Sequence, residues 1–451
     1  MTFLGFQNLK DAIFCSSIPF SSLTTYCATM ISALKTSSPL LLVVAVQVLL
    51  VLHHQIGSSN AASSNTIQQG QTLKDYDALV SPNGLFRLGF YGAGPLNSRY
   101  LAISFNAGYV AGAINVNPVW IANRNTLLSD STGLLSLDHN GTLKLENADH
   151  SVSIVFYSSD PDQVSRINSN NSLVTATLLD SGNLVLVEKN LSSGHERLLW
   201  QSFDYPTDAF LPGMRLSINR KTGQIKSLTS RLSDKVPCSG AFTLGVSTVS
   251  NASELVIQRR GVTYWRSGVW TGRGFSSPYT LMNLNDPQYT FSYSVGEEKY
   301  FSYSKKTESA DIMVWVLSEI GQLQKYTVWV SGGMSGPVTV IQCGTRNGNA
   351  SAAGCETPEL PSCRSRLVQF RPRRGTMASN ASAMVTPRGA VDLNVSTSDC
   401  EVECRRNCSC VAYAPVSPID HVGCYFWFKG SQFIRDEKLD NVVFFLPNHR
   451  G

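Results

Sequence analysis

The stretch DSGNLVLV (residues 180–187) joins a turn to a strand, and the same order recurs along the chain. Turn-forming residues precede four apolar ones, which is the pattern of a hairpin that enters a strand. It returns at 140–145, where Asn-Gly precedes Leu, and at 81–90, where Ser-Pro-Asn-Gly precedes an apolar run. No stretch between 65 and 190 has a sustained helical period. The pattern predicts short strands in a closed or three-sided β arrangement that hides its sheet edges.

The composition agrees with this interpretation. Charged residues make up only 15% of the 451 residues, while the chain has 34 Gly, 20 Phe and 16 Tyr. Such a composition is typical of strands and turns rather than long charged helices. The net charge of +5 is mild, so it indicates neither nucleic acid nor a membrane surface as a partner.

The amino-terminal part has the layout of a secretory signal peptide. An apolar run of about fourteen residues, 39–52, follows Lys35 and precedes the small residues Ser59-Asn60-Ala61. Because Met30 would begin a conventional signal, we expect residues 1–61 to be an upstream extension followed by a signal at about 30–61. The alternative is an uncleaved anchor. The predicted location is secreted or on the extracellular face of the plasma membrane.

Sequons and cysteines agree with export. Eight of the eleven cysteines lie between 343 and 424, which predicts a disulfide framework, whereas Cys238 stands alone. Their spacing predicts no metal site, because only Cys408 and Cys410 are closely spaced. Cys400, Cys404 and Cys408 are four residues apart, which predicts one stripe on a helix. Eight N-x-S/T sequons predict glycosylation at Asn140, Asn170, Asn190, Asn251, Asn349, Asn380, Asn394 and Asn407.

Motifs for common catalytic chemistry are lacking from the sequence. The run at 180–182 resembles half of an aspartic-protease signature, which needs a second Asp-Thr/Ser-Gly. There is no Gly-x-Ser-x-Gly elbow and no kinase His-Arg-Asp or Asp-Phe-Gly motif. We therefore predict no enzyme activity and no cofactor. An arginine cluster at 364–374 favours either an anionic polysaccharide or, as we prefer, a solvated connector.

Longer runs carry a family resemblance. They resemble the ectodomain of plant S-locus glycoproteins and S-domain (G-type lectin) receptor-like kinases, over about 65–447 and in that family's order. The cysteine-containing runs resemble a PAN (apple-like) domain, and the others a bulb-type lectin and S-locus region. The runs are VWIANR (119–124), LWQSFDYPTD (199–208), YWRSGVW (264–270), CEVEC (400–404) and NCSCVAY (407–413), with Cys424 and Trp427 after them.

The resemblance implies a mainly β fold with tandem β-prism domains, then a disulfide-rich connector and an α+β PAN domain. The implied boundaries are a bulb-type lectin domain at 65–195, a second lectin-like domain at 196–335, a degenerate EGF-like connector at 336–362 and a PAN domain at 363–447. In this family pattern the cysteine pairs are Cys400–Cys424, Cys404–Cys410, Cys363–Cys408 and Cys343–Cys355.

The resemblance also implies a function. We expect an extracellular recognition glycoprotein, as in pollen recognition or defence signalling, that binds a carbohydrate or a small secreted protein ligand. A homodimer or a receptor-kinase partner is the expected assembly. One alternative is a truncated receptor-like kinase, since no membrane span or kinase follows residue 447. The other alternative is a mannose-binding lectin.

The mannose motif of bulb-type lectins is eroded in this chain. That motif places Gln, Asp, Asn, Val and Tyr at alternate positions of a strand, so that they share one face. Only Asn183 and Val185 match on one strand, and only Asp138 and Asn140 on another. These four are the candidate carbohydrate-binding residues. Turn chemistry is the competing explanation, and a glycan on Asn140 would obstruct such a site.

Overall fold

A computed structural model describes residues 64–94, 98–106, 118–248, 253–276, 286–307, 311–329, 331–341, 343, 354–356, 360–364, 369–384, 391–436, 438 and 443–448. The predicted signal peptide and the sequons at Asn251 and Asn349 lie outside these residues. The fold is mainly β: two tandem β-prism units precede a disulfide-linked α+β module.

Three four-stranded antiparallel sheets form what we call the first β unit. The sheet orders are β1-β10-β11-β12, β2-β7-β8-β9 and β3-β4-β5-β6. Strand β10 buries every second residue, as expected where one face of a sheet covers a core. The elements are β1 Thr66–Gln68, β2 Thr72–Lys74, β3 Ala78–Val80, β4 Phe86–Ala93, β5 Ser98–Phe105, β6 Trp120–Ile121, β7 Leu134–Leu137, β8 Leu143–Glu146, β9 Ser153–Tyr157, α1 Pro161–Asn168, β10 Ser172–Leu178, β11 Leu184–Asn190 and β12 Glu196–Gln201.

The second β unit repeats this plan with twelve more strands. Its sheets are ordered β13-β22-β23-β24, β15-β14-β21-β20 and β16-β17-β18-β19. The buried apolar residues of both units form one continuous core. The elements are β13 Ala209–Phe210, β14 Arg215–Asn219, β15 Ile225–Lys226, β16 Leu228–Arg231, β17 Ser239–Val246, β18 Leu255–Arg259, β19 Val262–Arg266, β20 Tyr289–Val295, β21 Glu298–Lys305, β22 Ile312–Leu317, β23 Leu323–Val328 and β24 Val338–Ile341.

A six-stranded sheet and one helix make up the C-terminal module. The strand order is β26-β28-β27-β30-β25-β29, and helix α2 packs on β27. A capping box begins α2, because Ser396 and Asp399 exchange side-chain and backbone hydrogen bonds. The elements are β25 Gln369–Met377, β26 Ser382–Ala383, α2 Thr397–Arg406, β27 Cys410–Ala414, β28 Tyr425–Phe428, β29 Phe433–Arg435 and β30 Val443–Asn448.

Two local predictions were wrong. Helix α1 lies in the stretch that lacked a helical period; Asp160 caps it by accepting from the Gln163 amide (2.7 Å), and Pro161 stands in its first turn. Cys408 is not on α2, which ends at Arg406. Asn407 follows in an extended conformation and accepts a hydrogen bond from the Ser409 amide, so the chain turns away from the helix.

Candidate recognition site

The four candidate sugar residues lie on two different sheets. Asp138 and Asn140 belong to the turn between β7 and β8, whereas Asn183 directly precedes β11 and Val185 lies in β11 of another sheet. Both turns have the same form: the amide of the first residue donates to the carbonyl of the residue four positions later, and a glycine with positive φ closes the turn. Each pair is therefore placed by hairpin geometry.

Asn183 is a buried structural amide. Its Oδ1 accepts from Ser202 Oγ (3.1 Å) and the Phe203 amide (3.2 Å), and its Nδ2 donates to Gln201 Oε1 (2.9 Å). The neighbouring Val185 is also buried. The carbonyl and amino groups of Asn183 thus have protein partners, and these partners belong to the family-like run 199–208.

Asp138 and Asn140 have turn roles as well. Asp138 Oδ1 accepts from the amides of Asn140 and Thr142, both at 2.9 Å. The Asn140 side chain is exposed, as a glycan acceptor must be. The assignment of these four residues to carbohydrate binding stays a prediction. The competing explanation is that they stabilise the turns through the hydrogen bonds described above.

A tryptophan followed two residues later by a serine closes one sheet in each β unit. In the first unit Trp200 pairs with Leu186, and Ser202 Oγ accepts from the Leu184 amide (2.9 Å). In the second unit Trp265 pairs with Ile257, and Ser267 Oγ accepts from the Leu255 amide (2.9 Å). The runs WQS and WRS, which belong to the family-like runs of the sequence, therefore form the same local structure in the two β units. Both tryptophans are buried, as expected for core residues.

Arg124, the last residue of VWIANR, links the two β units. Its buried guanidinium donates to the carbonyls of Thr229, Ser230 and Pro237 at 2.9–3.0 Å. Nearby, Arg231 pairs with buried Asp208 at 2.8 Å. Burial raises the pKa of Tyr91 beside this pair to about 12. Fixed hydrogen bonds therefore hold the units together, since a buried cation needs such partners.

A carboxylate between two arginines joins the second β unit to the C-terminal module. Asp399 of α2 pairs with Arg259 (2.5 Å) and Arg260 (2.8 Å) at the end of β18. Burial alone would raise the pKa of Asp399, but the hydrogen bonds from Arg260 and Ser396 and the charge of Arg259 outweigh it, so the pKa lies below its usual value. A second link pairs His421 with Asp234 at 2.7 Å.

A cavity of about 430 Å³ opens between the second β unit and the C-terminal module. We call it the junction cleft. Leu232, Asp234 and Glu319 line it from the β unit, and Pro415 and Phe445 line it from the module. Sequence reasoning missed this cleft, because its walls come from segments that are far apart in the chain.

Four disulfides join the cysteine pairs that the family pattern implies: Cys343–Cys355, Cys363–Cys408, Cys400–Cys424 and Cys404–Cys410. The Cys238 thiol is unpaired among the described residues and half-buried, and burial raises its pKa.

Arg364 of the basic cluster donates to the carbonyls of Cys404 and Asn407, so it stabilises the end of α2 rather than facing a ligand.

Comparisons with known proteins identify two domains and several relatives of the chain. Residues 117–232 match the family model of D-mannose binding lectins, and residues 377–431 match that of PAN-like domains. Two G-type lectin S-receptor-like serine/threonine-protein kinases of Arabidopsis thaliana are 36% and 33% identical to it, over 84% and 82% of this chain. The chain is related to the S-domain ectodomain of G-type lectin receptor-like kinases. It spans only 42% and 44% of the length of these two S-receptor-like kinases.

Among solved structures, the two-domain, fetuin-binding Scilla campanulata agglutinin matches 61% of this chain and 99% of its own, at 13% identity and a TM-score of 0.19. The lectin and PAN domains and the receptor-kinase relatives support an extracellular recognition role for this chain. No helix within the described ranges is long and apolar enough to cross a membrane. Nor do those ranges contain a group of three His, Cys, Asp or Glu side chains that could hold a metal ion.

Proposed function

We propose that this S-domain chain is a secreted or cell-surface recognition glycoprotein that binds a protein or peptide ligand and has no catalysis of its own. We prefer such a ligand over mannose because the side chain of Asn183 is buried and hydrogen-bonded within the protein. Its side-chain groups bond Gln201, Ser202 and Phe203, so a sugar hydroxyl would have to displace bonds that hold a buried turn.

The sequons support the extracellular part of the proposal. Asparagine side chains that are to carry glycans must be exposed to the transferase. Asn140, Asn170, Asn380, Asn394 and Asn407 are exposed among the described sequons, whereas Asn190 is half-buried and accepts bonds from the amides of Ser192 and Ser193. We therefore expect glycosylation at the exposed positions before Asn190.

We base the proposed biological setting on the S-domain relatives. Pollen recognition and defence signalling are the settings that we propose for this chain, with a homodimer or a receptor kinase as its partner. We propose the division at 65–195, 196–335, 336–362 and 363–447 with one adjustment, which is that the first boundary falls after β12 rather than at residue 195. Strand β12 begins at Glu196 and pairs with β11, so limited proteolysis should cut closer to residue 205 than to 195.

Two libraries probed with the full secreted chain test this function. One is a glycan array that includes mannosides, and the other is a displayed library of random peptides. We expect enrichment of specific peptides and no selective signal from mannosides. Thr142→Ala, which removes the Asn140 sequon that could hide a sugar site but keeps the candidate residue Asn140, should leave the array unchanged.

Selective mannoside binding by the chain or by Thr142→Ala would contradict the preference for a peptide and establish the mannose-binding alternative. No binding in either library would contradict a recognition role for this chain on its own.

A further inference from the structure

The junction cleft has the size and lining of a ligand site. Its volume of about 430 Å³ lies in the range of small-molecule pockets, roughly 300–1,000 Å³. Leu232 and Ile320 give it an apolar wall on one side, and Pro415 and Phe445 on the other. Apolar walls of this kind accept an aliphatic chain.

The polar lining is acidic. Asp234 and Glu319 are carboxylates, and neither Lys nor Arg lines the cleft among the described residues. Asp234 pairs with His421 and, at 3.5 Å, with Lys235. Glu319, in contrast, has no cation within 4.0 Å among the described residues. It is half-buried, and burial together with the charge of Asp234 raises its pKa, while the more distant charges of Arg231 and His421 act in the opposite direction. A half-buried carboxylate that forms no ion pair with the described residues favours binding of a cation.

The hydroxyl groups of the cleft already have protein partners. Ser233 Oγ donates to the Asp420 carbonyl (2.5 Å), and Thr397 Oγ1 donates to the His421 carbonyl (3.2 Å). Ser396 and Ser398 bond each other at 2.7 Å. Glu319 is therefore the principal polar group left to select a ligand, so the cleft discriminates by charge more than by a pattern of hydroxyl contacts.

We propose that the junction cleft binds a guanidinium or ammonium group on an aliphatic stem, as in an Arg or Lys side chain of a peptide ligand. The charged group would pair with Glu319 at the acidic side, and the stem would pack between Ile320 and Pro415. This proposal deepens the recognition function above and rests on it. A free polyamine has the same chemistry, so the test must separate the two sources.

Ligand-observed NMR with the full chain tests the proposal with three probes: acetyl-Leu-Arg-amide, the same dipeptide with citrulline in place of arginine, and spermidine. Citrulline keeps the shape of arginine without its charge. We expect the arginine peptide to bind at least about tenfold more tightly than the citrulline peptide, a difference that one desolvated ion pair can supply. Spermidine should bind more weakly than the arginine peptide if a peptide side chain is the ligand.

Three variants locate the binding. Glu319→Gln should weaken the arginine peptide about tenfold and leave the citrulline peptide unchanged. Ile320→Trp, at a side chain that is 45% exposed, should block both peptides without disturbing the core. Glu196→Gln removes an exposed carboxylate of the first β unit and should change nothing. Unchanged melting temperatures establish that each variant is folded.

Equal binding of the arginine and citrulline peptides, or arginine binding that survives Glu319→Gln and Ile320→Trp, would overturn the proposal. Stronger binding of spermidine than of the arginine peptide would assign the cleft to a polyamine and overturn the peptide part. Enrichment of non-basic peptides from the displayed library, bound equally by Ile320→Trp, would contradict the cleft while leaving the recognition function intact.

Discussion

Two strands of similar sequence, β11 in the first β unit and β18 in the second, place a charged residue at the same position and use it differently. Each begins with Leu-Val, pairs with a Trp-x-Ser run, and has a β-bulge after its third residue. The fifth residue is Glu188 in β11 and Arg259 in β18. Glu188 lies between Arg166 (3.1 Å) and Arg197 (2.7 Å) of its own unit, whereas Arg259 and Arg260 reach Asp399 of the C-terminal module.

The comparison shows that the same type of ion-pair cluster can lie within one β unit or join a β unit to another module. Both sites put a buried carboxylate between two arginines, so their local chemistry is alike. In the first unit, Glu188 pairs with arginines of the same unit. In the second unit, Arg259 and Arg260 pair with a carboxylate of the C-terminal module and so hold that module in place. This docking forms the junction cleft, since the walls of the cleft come from both partners.

The largest expected effect tests whether the two units share one plan. Gly182 closes the β10–β11 turn and Gly321 closes the β22–β23 turn, which has the same hydrogen-bonded form, at φ +81° and +76°; a Cβ there would lie 2.8 Å from Phe86 and 2.5 Å from Phe242. Gly182→Ala and Gly321→Ala should each lower the free energy of unfolding by about 3–5 kcal/mol, from backbone strain plus overpacking. Denaturant unfolding measures this.

Gly261→Ala is the matched control, because Gly261 has φ +81° and no atom within 4 Å of the added Cβ. It should cost only about 1–2 kcal/mol, the strain alone. Equal effects at all three glycines would show that the ring contacts contribute nothing.

The next effect concerns the docking carboxylate. Asp399→Asn should cost about 1.5–3 kcal/mol at neutral pH, the range for hydrogen bonds to a charged group. Because the folded-state pKa of Asp399 is lowered from 3.8, its contribution is present above about pH 4 and lost as the pH falls through the folded-state pKa. The gap between wild type and variant in denaturant midpoint should therefore close in acid. A gap that persists at the lowest pH would contradict the ionic account.

Ser202→Ala and Ser267→Ala should each cost about 1–2 kcal/mol, because a buried backbone amide loses its acceptor. Hydrogen exchange of peptides that contain the Leu184 and Leu255 amides gives a local readout in each unit. Ser193→Ala, in an exposed turn, is the control that should leave both peptides unchanged. Faster exchange in only one unit would break the correspondence between the two runs.

Salt should produce the smallest difference. The amide pair Asn183–Gln201 in the first unit corresponds to the ion pair Glu254–Arg266 (2.7 Å) in the second, where Arg266 also pairs with Glu356 of the connector. At about 1 M salt, exchange at Leu255 should rise by an amount equivalent to less than about 1 kcal/mol, while Leu184 stays constant. An equal response at both amides would refute this assignment.

Much of the fold could be predicted from sequence, because turn residues and apolar runs are local signals. The strand after Gly182 and the strand at 313–317 follow from such runs. Helix α1 was missed because its eight residues are mostly polar and too few to show a sustained period, although Asp160-Pro161 was a usable cap signal.

The candidate site was harder to predict for a physical reason. Motif matching at Asn183 identifies a residue type but not its partners, and those partners come from the run at 201–203 on the adjacent strand. Likewise Arg259, Glu319 and Pro415 show no shared pattern in sequence. Only folding brings the second unit and the C-terminal module together around the junction cleft.

Hydrogen exchange at helix α2 tests the central claim, that the arginines at the end of β18 dock the C-terminal module. The double variant Arg259→Gln/Arg260→Gln is compared with Glu188→Gln, which breaks the matching cluster of the first unit. We predict faster exchange across 397–406 in the double variant only, together with loss of arginine-peptide binding in the junction cleft. Unchanged exchange at α2 in the double variant, or an equal change in Glu188→Gln, would contradict the account.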